Sequence, residues 1–156
     1  MLQNNTSKAV ETYNTILRTF DKLQYKYERN DKQLTVNSIF NGEDLIIPLC
    51  IKTGECSVHL DSSLPFIVPY IMRDTAAVAV CAINAKLING RFVFDYGEGS
   101  ISFTMSISND GCILREELFE YMIMTTLSTV EKHNHLLYKL AEEVINIKEF
   151  LSAIAN

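Results

Sequence analysis

The chain has 156 residues, 47% of them hydrophobic and 21% charged, with a formal net charge of −5 and an isoelectric point near 5.2. These values exclude a disordered chain and predict a single domain over residues 1–156 that buries its own core. The acidic balance and the scatter of its Lys and Arg argue against a nucleic-acid partner, because binding phosphate backbones needs clustered cations.

Residues 1–8 are polar, so no secretory signal is expected in the sequence as given, and Asn4-Asn5-Thr6 reads as a chance match to the glycosylation pattern. Val10, Tyr13, Ile16 or Leu17, and Phe20 then recur at helical spacing, which predicts an amphipathic helix over residues 7–23 with Thr6 or Ser7 as N-cap. Tyr25 and Tyr27 alternate with charged neighbours, and Asn30-Asp31 supplies turn chemistry. Leu34, Val36 and Phe40 follow on one face of a strand, with Thr35, Asn37 and Ile39 on the other. Asn41-Gly42 signals a hairpin into the apolar strand 45–51, and Thr53-Gly54 turns it into a return strand over 56–60. With a two-residue turn there, Cys56 faces Ile51 and Cys50 falls on the other side of the sheet. With three residues the two thiols would meet. The first is favoured, because it collects Ile47, Leu49, Ile51, Cys56, Val58 and Leu60 on one face.

Residues 61–69, punctuated by Pro65 and Pro69, read as a connector. A helix over residues 70–87 follows, rich in Ala and apolar around most of its circumference. Its most apolar part, residues 76–83, falls well short of the roughly twenty residues that cross a bilayer. No membrane partner is therefore expected, and the protein is expected in the cytoplasm. A helix covered on two sides needs more than its own sheet, so a homodimer through Ile71, Thr75, Val78, Ala79, Ala82 and Ala85 is predicted. Asn89-Gly90 ends that helix. A hairpin comes next: with its turn at Glu98-Gly99, Tyr96 would oppose Ile101, Phe94 would oppose Phe103 and Phe92 would oppose Met105. The last segment is helical from near Leu114 to about Ala153. A break is plausible across residues 131–135, but no Pro forces one, so one bent helix or two are both allowed.

The element order is α-β-β-β(β)-α-β-β-α, an antiparallel sheet packed by helices. The segment Ile83-Asn84-Ala85-Lys86-Leu87-Ile88-Asn89-Gly90 with the aromatic strand from Arg91 to Asp95, the tight Gly turn and the alternating return strand to Ile107 resembles the bacterial YbjN family. That family is similar in fold to type III secretion chaperones. The resemblance implies a small acidic α+β protein, often dimeric, that holds another polypeptide or acts in regulation. It implies no catalytic residues and no cofactor.

The residues themselves carry few marks of catalysis. No Gly-x-x-x-x-Gly-Lys loop, Gly-x-Ser-x-Gly elbow or His-Glu-x-x-His helix occurs, and Gly97-Glu98-Gly99 reads as a turn. Cys50, Cys56, Cys81 and Cys112 form no Cys-x-x-Cys pair and read as small buried hydrophobes. His133 and His135 sit two apart on a helix, about 200° from each other, and read as surface residues rather than metal ligands. His59 beside Cys50 is the one nucleophile and base pairing that can be drawn. The far face of the sheet carries Thr35, Asn37, Ile39, Ile46, Ser102 and Thr104, with Pro48, Cys50, Ser57, Val93 and Ser106. Its low charge suits contact with a protein or peptide. The expectation is a non-enzymatic, chaperone-like or regulatory interaction module with no metal or cofactor. The alternative is a small-molecule binder or minor enzyme, with a pocket between the first helix and the sheet edged by His59 and Cys50 or by Tyr13. An antitoxin-like or phage-related binding protein would share the same surfaces and differ in partner.

Overall fold

The computed structural model describes residues 2–110, 112 and 114–155, with side-chain environments from residue 8 onward, so the Asn4-Asn5-Thr6 side chains lie outside the described residues; the first helix already begins at Leu2, which corrects the expected start at residue 7 and puts Thr6 and Ser7 within the helix rather than at its N-cap. Helix α1 (Leu2–Lys22) leads into strands β1 (Glu28–Asn30), β2 (Thr35–Asn41), β3 (Ile46–Thr53) and β4 (Ser57–Ile67). A 3-10 turn (Tyr70–Met72) precedes helix α2 (Arg73–Asn84), then come β5 (Arg91–Phe94), β6 (Ser100–Ser108), helix α3 (Glu116–Ala141) and helix α4 (Ile147–Ala155). The six strands make one antiparallel sheet in the order β1-β2-β3-β4-β6-β5, an α+β fold with the predicted element order.

Period-two alternation puts Val36, Leu49, Ile51, Val58, Leu60, Ile101, Phe92 and Phe103 on one face, where each is almost wholly buried. The helices cover that face in two clusters. In one, α1 brings Tyr13, Ile16, Leu17 and Phe20 and α3 brings Phe119, Met122 and Ile123 onto β2, β3 and β4. In the other, α2, the C-terminal half of α3 and Phe150 of α4 close over β5 and β6.

Registers depart from the sequence reading while strand faces do not. The β3–β4 turn is Glu55-Cys56, closed by Gly54 N donating to Ser57 O at 2.7 Å, so Ile51 opposes Leu60 and exposed Cys56 faces nothing across the ladder. The β2–β3 hairpin likewise extends past Asn41-Gly42, with Gly42 N donating to Leu45 O at 3.1 Å. In the β5–β6 hairpin Phe94 opposes Ile101 and Phe92 opposes Phe103, two residues from the expected pairing, and Tyr96 lies in the loop. All three shifts are even, so the paired side chains keep their faces, and Cys56 leaves the apolar face for the exposed turn. Two contacts close the longer β5–β6 loop: Asp95 Oδ1 accepts the Glu98 amide at 2.9 Å, and Gly99 N donates to Asp95 O at 2.7 Å. Gly99 is required there, since its φ is +80° and a Cβ would press on the Val68 carbonyl.

The stretch expected as a connector after residue 60 is instead the second half of β4, paired to β6 as far as Ile67 with a register shift between Ser63 and Ile67. Pro65 is tolerated because it lies in that shifted stretch, on the side where β3 no longer pairs. The β3–β4 ladder stops at Cys50 and Asp61. Even positions of β3 face β4, so Pro48 falls where an amide donor is needed and has none.

Helix α2 is shorter than predicted, and its end is marked by Asn84 rather than by Asn89-Gly90. Helix α3 runs unbroken through residues 131–135, because His133 and Asn134 face inward there and are buried. The break comes at residues 142–146, where Glu143 takes a φ of 56° and Asn146 starts α4 with a reciprocal cap. Asn146 Oδ1 accepts the Lys148 and Glu149 amides at 2.9 and 3.1 Å, and Glu149 Oε2 accepts the Asn146 amide at 2.8 Å.

Candidate interaction surfaces

With the helices on one face, the other face of the sheet is bare. Across it run Asn37, Cys50, Asp61, Thr104 and Arg91 in one paired row, and Thr35, Lys52, His59 and Ser106 in the next. Ile39 and Ile46 stand out at 69% and 45% exposure, while Ser102 and Thr104 are half-buried among their neighbours. Thr35 shares the face by register but is buried, its hydroxyl donating to Gln33 O at 3.2 Å, so it offers a visitor little. The face is mild and not uncharged: Lys52, Asp61 and Arg91 sit among its hydroxyl groups.

The second surface is the outer side of α2. Ile71, Thr75, Val78, Ala82 and Ala85 follow one another at spacings of four and three and form a single stripe, with Ile71 78% and Val78 53% exposed. Ala79 does not belong to it. It is fully buried beside Ala76, Val80 and Ile83 against the sheet, so an interface drawn through Ala79 is corrected to the stripe one step round the helix. Exposed Ile67, Tyr70 and Ile88 extend the apolar character at the two ends of the helix.

The chemical alternative loses its geometry. The space between α1 and the sheet is filled by the buried side chains of Tyr13, Ile16, Leu17 and Phe20. Tyr13 donates to Asp31 Oδ1 at 2.9 Å, and burial with that carboxylate pushes its phenol up to about 12, so it stays a hydrogen-bond donor tying α1 to the β1–β2 turn. His59 Nε2 bonds the Ser57 hydroxyl at 2.9 Å, and across the ladder His59 faces Lys52 while Cys50 faces Asp61. Burial, reinforced by the Asp61 carboxylate, pushes the Cys50 thiol up, away from the thiolate a nucleophile needs. Cys56, Cys81 and Cys112 are exposed and not the buried hydrophobes expected. Among the described residues no three His, Cys, Asp or Glu side chains gather as a metal site, and no helix is long and apolar enough to cross a membrane.

Two residues with defined roles, Arg73 and Asn84, went unnoticed in the sequence, and a third was misread. Arg73 donates to the carbonyls of Tyr96 and Gly97 at 2.8 and 2.6 Å and stacks over the Tyr70 ring. Asn84 donates to Phe92 O and accepts Phe92 N, both at 2.8 Å, so a side-chain amide occupies the outer edge of β5 where another strand could add. His133 is buried, its ring edge-on to Phe92, rather than on the surface.

A six-stranded antiparallel sheet with helices on one side and a bare face on the other defines an α+β scaffold whose surfaces, not an enclosed pocket, are its most developed features. The chain has a YbjN-like fold. It is similar to Escherichia coli YbjN, a candidate transcription regulator, with a TM-score of 0.63 over 84% of this chain and 92% of that one at 13% identity. It is also similar to an uncharacterized protein from Methanothermobacter thermautotrophicus, with a TM-score of 0.51 over 85% of this chain and 98% of that one at 11% identity. No family model and no curated protein sequence matches the chain.

Proposed function

We propose that the protein is a non-enzymatic interaction module of the cytoplasm, a homodimer joined through the outer stripe of α2 that holds a polypeptide partner on the bare face of its sheet. The observation that carries this reading is the stripe itself. Val78 stands in water on a helix that already buries Ala76, Ala79, Val80 and Ile83 on its inner side, and Ile71 stands in water on the 3-10 turn that leads into it. Small Ala82 and Ala85 on the same stripe allow close approach of a second helix, and burying such residues against a copy is favourable by about 25 cal/mol per Å² of apolar surface. The sheet face adds Ile39 and Ile46 among hydroxyl groups, a surface cheap to desolvate around a few apolar anchors. The regulator description of YbjN favours a regulatory partner over a folding client. The net charge of −5 favours action through a protein over direct contact with DNA.

Light scattering on the full chain tests the dimer. Wild type is expected at twice the chain mass and Val78→Glu at the monomer mass with unchanged circular dichroism; a monomeric wild type overturns the dimer. Affinity purification from the native cell tests the sheet face. Ile39→Glu is expected to lose a partner that the wild type retains, and equal recovery by both removes this face from the reading.

A further inference from the structure

A cleft of about 310 Å³ opens where the end of α2, the middle of α3 and the last turn of α4 meet, lined by Lys86, Leu87, Ser128, Thr129, Lys132, His133 and Ile154. Its composition is unlike the rest of this acidic chain: two lysines and a histidine converge, and no carboxylate lines it. Helical spacing explains the convergence. Thr129 and His133, and Ser128 and Lys132, are pairs four apart, so two hydroxyl groups sit one turn from two nitrogen groups on one face of α3. Lys86 donates to the Ile154 carbonyl and so carries its charge to the rim, while Lys132 is exposed and pairs with no acid in the described structure.

The second observation is His133. Its residue is only 7% exposed, it lines this cleft, and its Nδ1 atom is buried with no hydrogen-bond partner. A buried polar atom left unsatisfied costs about 1–3 kcal/mol, and such atoms in folded proteins are mostly paired. Nδ1 itself is buried, but rotation about the Cβ–Cγ bond exchanges the two edges of an imidazole ring, and a ligand that drew Nδ1 toward the cleft would complete what the protein leaves open. Leu87 and Ile154 form the apolar part of the lining, which a bare inorganic ion would leave without contact.

We propose that this cleft binds a small organic anion, a phosphate or carboxylate group carried on an apolar body, with Lys132 and Lys86 supplying charge, Thr129 and His133 hydrogen bonds, and Leu87 and Ile154 the apolar contact. It is independent of the α2 stripe and the bare sheet face, and either reading can fail without the other.

Nuclear magnetic resonance titration of the isotope-labelled full chain with phenyl phosphate, benzoate and the neutral analogue benzamide tests it. Saturable shifts are expected at Leu87, Thr129, Lys132 and His133 with an anionic probe and not with benzamide; the tighter anion identifies the head group as phosphate or carboxylate. Lys132→Gln, at an exposed position whose spectrum reports whether the fold survives, is expected to weaken binding about tenfold or more, the size of a charge-assisted hydrogen bond. Absence of saturable shifts with both anions, equal binding of benzamide, or unchanged affinity in Lys132→Gln overturns the proposal.

Discussion

Arg73 carries its charge to the tip of a hairpin and not to a carboxylate. The guanidinium fork matches the two backbone carbonyls of Tyr96 and Gly97, which a lysine could not span with the same planarity, and this anchoring accompanies the two-residue shift of the β5–β6 pairing. His133 is a second residue whose behaviour depends on surroundings remote in sequence. Burial first, then the neighbouring Lys132 and Lys86 charges, push its imidazole down to about 4, so it is neutral in the folded protein. The unfolded chain, with an ordinary value near 6.5, therefore takes up this proton first as pH falls. The stabilising contribution is complete above about pH 6.5 and is lost as pH drops toward 4, by about 2 kcal/mol between pH 7 and pH 5. Urea unfolding at those two values should show this dependence in wild type and less of it in His133→Phe; identical slopes would refute the assignment. Neither residue was legible beforehand, because one sits three positions before an alanine-rich run and the other on a helix face whose covering elements are fixed only by the fold.

At the scale of elements, alternation along the strands was readable and pairing between them was not. Ile47, Leu49 and Ile51 point inward whatever turn follows, since side chains alternate with period two. The turn itself moved from Thr53-Gly54 to Glu55-Cys56, where Asn109 of the segment after β6 donates to the Cys56 and Gly54 carbonyls through its backbone and side-chain nitrogens. Helix ends follow the same division. The Asn146-to-Glu149 spacing is a local start signal for α4, yet the polar run at residues 131–135 left a break there open, because its inward positions are covered only once α3 lies on the sheet. Asn146→Ala should cost about 1 kcal/mol, the value of an N-cap, and loosen Phe150, which α4 carries wholly into the core. Thermal unfolding reads the first effect and amide exchange across residues 147–155 the second; protection equal to wild type would show that packing of Phe150 alone holds α4.

At the scale of the whole molecule, α3 joins two clusters that would otherwise be separate. Phe119 and Ile123 lie in one, Val130, Leu137 and Leu140 in the other, and Phe40, Met105 and Leu127 pack against both. Folding is therefore expected to be a single cooperative event. Ile123→Ala and Leu137→Ala, each costing about 2–5 kcal/mol, should shift one common transition seen alike by circular dichroism and tyrosine fluorescence. Two separated transitions in either variant would show the clusters to be independent units.

Taken alone, the amino-acid order determined the α+β class, the succession of helices and strands, and which side of each strand is apolar, because these follow from periodicities of 2 and 3.6 residues and from turn chemistry within a few residues. Only the tertiary structure decided the registers, the burial of Ala79 inside the stripe predicted to be exposed, and the meeting of Lys86, Lys132 and His133 in one cleft. Those depend on contacts between residues far apart along the chain, where shifts of two or four residues keep every face and change every neighbour.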